Sequence, residues 1–157
     1  MPQLVKGGKH TFGWSRVGDT GRIVIPAEAL EEYNLKESEK MVLVPGSQTS
    51  GGFGTGSMES VKRSHLGAVV DTNSALGIFR EPEGAVIEYR GKLYCWVELK
   101  DGGVVNPQGI LDRYGVKIGN KLLVIRGGGL AIGFAVRGPI REEAKKHLEL
   151  EVYEPET

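Results

Sequence analysis

An internal repeat constrains this chain more than any other feature of its sequence. Residues 20–54 match residues 101–135 at a constant offset of 81 without a gap, and such periodicity indicates duplicated structural units. A shift of one residue also aligns Trp14 with Trp96 and Asp19 with Asp101. The identical pairs within the gapless match are Gly21/Gly102, Val24/Val105, Pro26/Pro107, Leu30/Leu111, Tyr33/Tyr114, Lys36/Lys117, Lys40/Lys121, Gly46/Gly127, Gly52/Gly133 and Phe53/Phe134. Two copies of one supersecondary unit are the simplest explanation.

Each copy predicts the element order β-β-α-β-β. "GDTG" and "KDGG" have the Asp and Gly residues of hairpin turns between two β runs. A short helical segment follows, and it places Leu30 and Tyr33, or Leu111 and Tyr114, on one side at i,i+3 spacing. An apolar strand, "MVLV" or "LLVI", then precedes a glycine-rich turn and a last strand. Because a helix this short cannot cover a sheet alone, we expect the two copies to complete each other.

The repeat divides the chain into three segments. We predict a first copy over residues 10–66, a connector with one or two strands over 67–91, and a second copy over 92–149. Both copies end in a segment with helical character, "SMESVKRSHL" in the first and "PIREEAKKHLEL" in the second. The expected fold class is mainly β with short helices.

The first copy, "VGDTGRIVIPAEALEEYNLKESEKMVLV", resembles the AbrB/MazE/SpoVT family of small DNA-binding domains, and "KDGGVVNPQGILDRYGVKIGNKLLVI" resembles it as well. The shared pattern is a turn glycine, a basic residue, a β run, a proline, a short helix, and a polar turn before a strand. The resemblance implies a swapped-hairpin β-barrel of two interleaved copies, here forming one pseudo-symmetric barrel within a single chain. It also implies a transcription regulator, or an antitoxin with a toxin or other protein partner, that binds double-stranded DNA.

The resemblance assigns DNA contact to basic residues on and beside the first hairpin. Only Arg16 and Arg22 transfer by position. Lys6, Lys9 and His10 precede this hairpin and make the N-terminal region locally basic, which suits a surface that faces phosphates. We therefore predict that Lys6, Lys9, Arg16 and Arg22 bind DNA, although terminal lysines are often simply solvated. A homodimer would present two such hairpins.

The second copy departs from the family pattern at its turn. Gly103 replaces the arginine, while Glu98 and Asp101 place acid beside the turn. A rival hypothesis is therefore a protein-interaction or ligand-binding scaffold that does not bind DNA and has a degenerate second repeat. Arg22 has its own structural alternative, an exposed strand residue in an ion pair with Asp19.

Composition narrows the function classes. Twenty basic residues balance 20 acidic residues, which excludes a globally basic DNA binder but leaves room for a local basic patch. Cys95 is the only cysteine, so an internal disulfide is impossible and a reducing compartment is expected. The sequence has neither a signal-peptide pattern nor an apolar run long enough to span a membrane. We expect a cytoplasmic protein without membrane contact.

The remaining motifs favour structural roles. We find no Ser-His-Asp arrangement, paired catalytic carboxylates or cofactor motif, and we expect neither an enzyme nor a cofactor. The three histidines lack further ligands at metal-binding spacing, so no metal site is predicted. "GGFGTG" at 51–56 lacks the ending of a phosphate-binding loop and predicts a turn and a strand. Trp14 and Trp96 are interpreted as barrel core rather than as base-stacking residues, and Cys95 as a buried small hydrophobe.

Overall fold

The computed structural model describes residues 10–105, 109–127 and 131–155. Its secondary structure is mainly β with short helices, which confirms the predicted fold class. The strands are β1 (Thr11–Arg16), β2 (Ile23–Val24), β3 (Lys40–Pro45), β4 (Phe53–Ser57), β5 (Ile87–Tyr89), β6 (Lys92–Glu98), β7 (Gly103–Val104), β8 (Lys121–Arg126), β9 (Ile132–Ala135) and β10 (Val152–Tyr153). The helices are α1 (Ala27–Glu32), α2 (Met58–Arg63), α3 (Gly67–Thr72), α4 (Ser74–Gly77), α5 (Ile110–Arg113) and α6 (Pro139–Ala144).

Strand pairing crosses between the two copies. Eight strands form one sheet in the order β10-β1-β8-β9-β4-β3-β6-β5, and β2 pairs with β7 in a separate two-stranded ribbon. The first strand of each copy lies antiparallel to the third strand of the other, as β1 on β8 and β6 on β3. The two ends of the large sheet, β10 and β5, do not pair with each other. The closed barrel expected from the resemblance is therefore not found in the described part of the chain.

Duplicate positions of the two copies face each other in two places. Ile23 pairs with Val104 in the ribbon, and Phe53 pairs with Phe134 where β4 meets β9. Each pair is separated by the repeat offset of 81. Both registers are those that a local pseudo-twofold relation between the copies would produce.

The large sheet is buried on both faces. Because successive residues of a strand point to opposite sides, each central strand contributes side chains to both. In β3, Met41 and Leu43 enter the main core, while Val42 and Val44 enter a second cluster on the other face. The main core also receives side chains from the ribbon, α1 and α5. The other face is covered by α2, α3 and α4 over the first copy and by α6 over the second. Burial on both faces explains the continuous apolar runs "MVLV" and "LLVI".

The connector contains helices in addition to its strand. Residues 67–91 contain one strand, Ile87–Tyr89, and also the two short helices α3 and α4, which were not expected. These helices are too short for intrinsic propensity to stabilise them. They bury Val69, Val70 and Leu76 against the outer face of the sheet, so their stability comes from tertiary packing that a local pattern does not encode.

The predicted core residues fall on different faces of the sheet. Cys95 is completely buried in the main core, as expected, and β4 confirms the turn and strand interpretation of "GGFGTG". The placement of the tryptophans in a barrel core is wrong. Trp14 packs in a third cluster beneath α6, and Trp96 packs half-buried against the second cluster. Both lie on the outer face because β1 and β6 direct them away from the ribbon.

Candidate nucleic-acid interface

Arg16 ends β1 beside the second copy. It lies opposite Lys121, the first residue of β8, in the antiparallel register. Its Nε donates a hydrogen bond to the carboxylate of Glu154, and both side chains are about half exposed. Exposed ion pairs contribute little to stability, so a phosphate oxygen can replace Glu154 at small cost.

Arg22 reaches across the ribbon to the turn of the second copy. Its Nη2 donates to the carbonyl oxygen of Lys100 at 3.1 Å and to that of Asp101 at 2.7 Å. These carbonyls orient the guanidinium without neutralising its charge. The alternative ion pair between Arg22 and Asp19 is not found among the residues that the structure describes. Arg22 is therefore a positioned cation rather than half of an ion pair.

Close packing explains why the second copy has glycine where the first has Arg22. A Cβ atom added at Gly103 would lie 2.3 Å from the carbonyl oxygen of Ile23 and 3.2 Å from Nη2 of Arg22. Backbone contact at the first of these distances excludes any side chain. The missing arginine has a steric cause, which sequence reasoning missed because Gly103 and Ile23 belong to different copies.

The turn of the second copy carries charge of both signs. The carboxylate of Glu37 accepts the backbone N–H of Asp101 at 3.0 and 2.9 Å. Lys100 forms an ion pair with Glu98 at 3.5 Å. The acidic residues Glu98 and Asp101 of this turn, as the sequence predicted, therefore lie close to Arg22. This end of the ribbon is not a uniformly basic surface.

The structure brings only some of the basic residues together. Arg16 lies opposite Lys121 in the strand register, whereas Arg22 contacts only the backbone carbonyl of Lys100, whose ammonium pairs with Glu98. Lys6 and Lys9 lie outside the described residues. Other basic residues of the second copy have partners elsewhere: Arg126 pairs with Glu32, and Arg137 donates to the carbonyl of Gln48.

Lys121 is the functional candidate that sequence reasoning did not single out. The identity of Lys40 and Lys121 in the repeat is a signal that could have found it. Its position beside Arg16 depends on the pairing of β1 with β8, which no local pattern specifies. Within the described ranges, no group of three or more His, Cys, Asp or Glu residues is arranged to hold a metal ion. No helix in those ranges has the length and apolar character needed to cross a membrane.

Comparisons with protein-family models, curated proteins and solved structures give no match. Inference about function therefore starts from the residues of this chain.

Proposed function

We propose that this protein is an AbrB-like, DNA-binding transcriptional regulator, in which two interleaved copies form a swapped-hairpin domain within one chain. Support comes from the exchanged pairing of β1 with β8 and of β6 with β3. Such exchanged pairing is what two interleaved copies would produce, and it therefore supports the proposal. The regulator would act in the cytoplasm and would need no cofactor.

The observation that carries the proposal is the placement of Arg22. Two carbonyl oxygens fix its guanidinium against the turn of the second copy, and no described carboxylate forms an ion pair with it. A fixed guanidinium loses little conformational freedom on binding, and with both Nη2 hydrogens donated to carbonyl oxygens it keeps its Nε and Nη1 donors for a phosphate oxygen or a guanine acceptor. Among the predicted DNA-binding residues that the structure describes, Arg22 is therefore the one whose side chain is already held in place for DNA binding.

A second cationic contact would come from Arg16 and Lys121. Their opposite positions in the register place two positive residues at the same end of the β1–β8 pair. Glu154 competes for Arg16, and approach of DNA would exchange that carboxylate for a phosphate. The contact is electrostatic and independent of base sequence, so it would position the protein on the duplex.

Specific recognition would require more surface than one hairpin offers. Gly103 and the neighbouring acids leave the second copy without an equivalent of Arg22. A homodimer would present two Arg22 hairpins related by a true twofold axis, matching a palindromic site. A toxin or other protein partner would occupy a different surface.

The rival function is a scaffold that binds a protein or ligand rather than DNA. The carboxylates of Glu37, Glu98 and Glu154 around the arginines favour it. Fluorescence anisotropy of a labelled duplex over a salt series separates the two functions. The DNA proposal requires binding at low salt that weakens in Arg22→Gln and not in Arg63→Gln, a matched change on α2. Absence of duplex binding at low salt would rule out the DNA proposal and favour the scaffold function.

A further inference from the structure

A cleft of about 400 Å³ lies between α6 and the outer face of β1 and β8. We call it the Trp14 cleft. Its lining includes Trp14, Lys121, Arg141, Lys145, His147 and Leu148. Leu148 is almost fully exposed at 93%, so the cleft opens to solvent beside an apolar side chain.

Two cationic groups lie over the single ring of Trp14. The Lys121 Nζ is 5.2 Å and the Arg141 Cζ 5.3 Å from the ring centroid. Arg141 also donates from Nη2 to the carbonyl oxygen of Lys121 at 3.1 Å. Cation–π contacts hold both positive groups at the Trp14 ring, and the hydrogen bond ties the Arg141 guanidinium to the backbone of Lys121.

Neighbouring acids do not neutralise these cations. Lys145 pairs with Glu142, and His147 pairs with Glu149. Glu143 pairs with Lys146 and His147. Among the described residues, no carboxylate lies within ion-pair distance of Lys121 or Arg141. Both cations are therefore without an acidic partner in the described part of the chain.

Arg141 also has an unused donor. Its Nε is buried and has no hydrogen-bond partner among the described atoms. A buried N–H without an acceptor costs free energy. An anion beside Arg141 and Lys121 would balance their positive charges, and a shift of the Arg141 side chain toward it would give this buried donor an acceptor.

The repeat supplies an internal comparison for the cleft. Trp96 and Lys40 duplicate Trp14 and Lys121, and the Lys40 Nζ lies 5.5 Å from the Trp96 ring centroid. Here, however, Phe79 packs edge-on against Trp96 at a centroid distance of 5.5 Å. The adjoining surface is lined by the carboxylates of Glu37, Glu39 and Glu59, together with Lys40 and Lys62. An arginine at one tryptophan and carboxylates near the other give the two clefts different charge.

We propose that the Trp14 cleft binds a phosphate group, with Lys121 and Arg141 as its ligands against the Trp14 ring. A guanidinium offers paired donors that match phosphate oxygens, and an ammonium adds a compact positive charge. The phosphate can belong to a small phosphorylated compound or to the backbone of DNA. Binding of free phosphate does not require the proposed function, so the two can fail separately.

The test follows the fluorescence of Trp14 in a Trp96→Phe background while inorganic phosphate is added at constant ionic strength. We expect a saturable change that chloride does not produce. Lys121→Gln and Arg141→Gln should each weaken it by roughly tenfold, because each removes a charge-assisted hydrogen bond. Lys40→Gln, the duplicate lysine, and Lys146→Gln, outside the cleft, should leave it unchanged. Circular dichroism checks that each variant is folded.

Absence of a saturable change, an equal response to chloride, or full affinity in Lys121→Gln would overturn the proposal. Because Lys121 is exposed, its variant remains informative if Arg141→Gln does not fold. A second arm adds unlabelled duplex to the phosphate complex. Displacement of phosphate, together with a smaller salt dependence of DNA binding in Lys121→Gln, assigns the site to the DNA backbone. Phosphate binding without displacement assigns it to a small phosphorylated compound.

Discussion

Phe53 and Phe134, which occupy the same position in the two copies, stack with ring centroids 4.8 Å apart and ring planes inclined by 13°. Both side chains are almost fully buried. We expect Phe53→Leu and Phe134→Leu to be destabilising individually and to show a coupling free energy of about 0.5–1.5 kcal/mol in a double-mutant cycle. Urea unfolding of the four proteins measures this coupling. Strictly additive effects would contradict direct contact between the copies.

Glu154 is expected to oppose DNA binding because it holds Arg16 in an ion pair. Glu154→Gln should raise duplex affinity a few-fold at low salt and change the free energy of unfolding by less than about 1 kcal/mol. Anisotropy and thermal unfolding measure the two effects. Glu88→Gln removes the same charge from an exposed position on β5, away from Arg16 and the Trp14 cleft, and serves as the control. Equal gains in both variants would show a general charge effect rather than release of Arg16.

Cys95 should be inert in the folded protein. Burial is the main cause that raises the pKa of its thiol to about 12, and the negative charge of Glu83 contributes further. Because the thiolate is the reactive form, an aromatic disulfide reagent at pH 8 should label the thiol slowly under native conditions and rapidly in urea. Immediate labelling of the native protein would contradict the placement of Cys95 in the core.

His147 should titrate above the usual histidine range. Hydrogen bonding to Glu149 is the main cause that raises its pKa, and Glu143 contributes further. A raised pKa in the folded state means that these contacts stabilise the fold below the unfolded pKa, and that this contribution is lost as pH rises through the folded pKa. NMR titration of the ring should show a lower His147 pKa in Glu149→Gln. An unchanged value would exclude the Glu149 contact in solution.

The repeat allowed much of the fold to be predicted because its signals are local. Turn glycines, the short helical segments and two apolar runs specify the strands and helices around Tyr33 and Tyr114 without knowledge of their partners. Tyr33 packs partly buried against the main core, and Tyr114 is buried within it. The helices α3 and α4 were missed because only packing on the sheet stabilises such short segments.

The candidate site was less predictable because its contacts join residues far apart in sequence. Arg22 was identified from its position in the family pattern, but its carbonyl acceptors lie in the other copy at Lys100 and Asp101. The approach of Gly103 to Ile23 likewise depends on the ribbon register. Predicting the pair of cations at Trp14 would have required the pairing of β1 with β8 and the docking of α6. Neither is encoded in a local sequence pattern.

The salt dependence of duplex binding tests the proposed role of Arg22 most directly. A residue that contacts a phosphate releases a condensed counterion on binding, so its loss lowers the slope of log affinity against log salt concentration by about one. We predict salt-dependent binding by the unmodified protein, a slope smaller by about one in Arg22→Gln, and an unchanged slope in Arg63→Gln. Equal slopes in all three proteins, or no binding at low salt, would contradict the assignment of Arg22 to DNA.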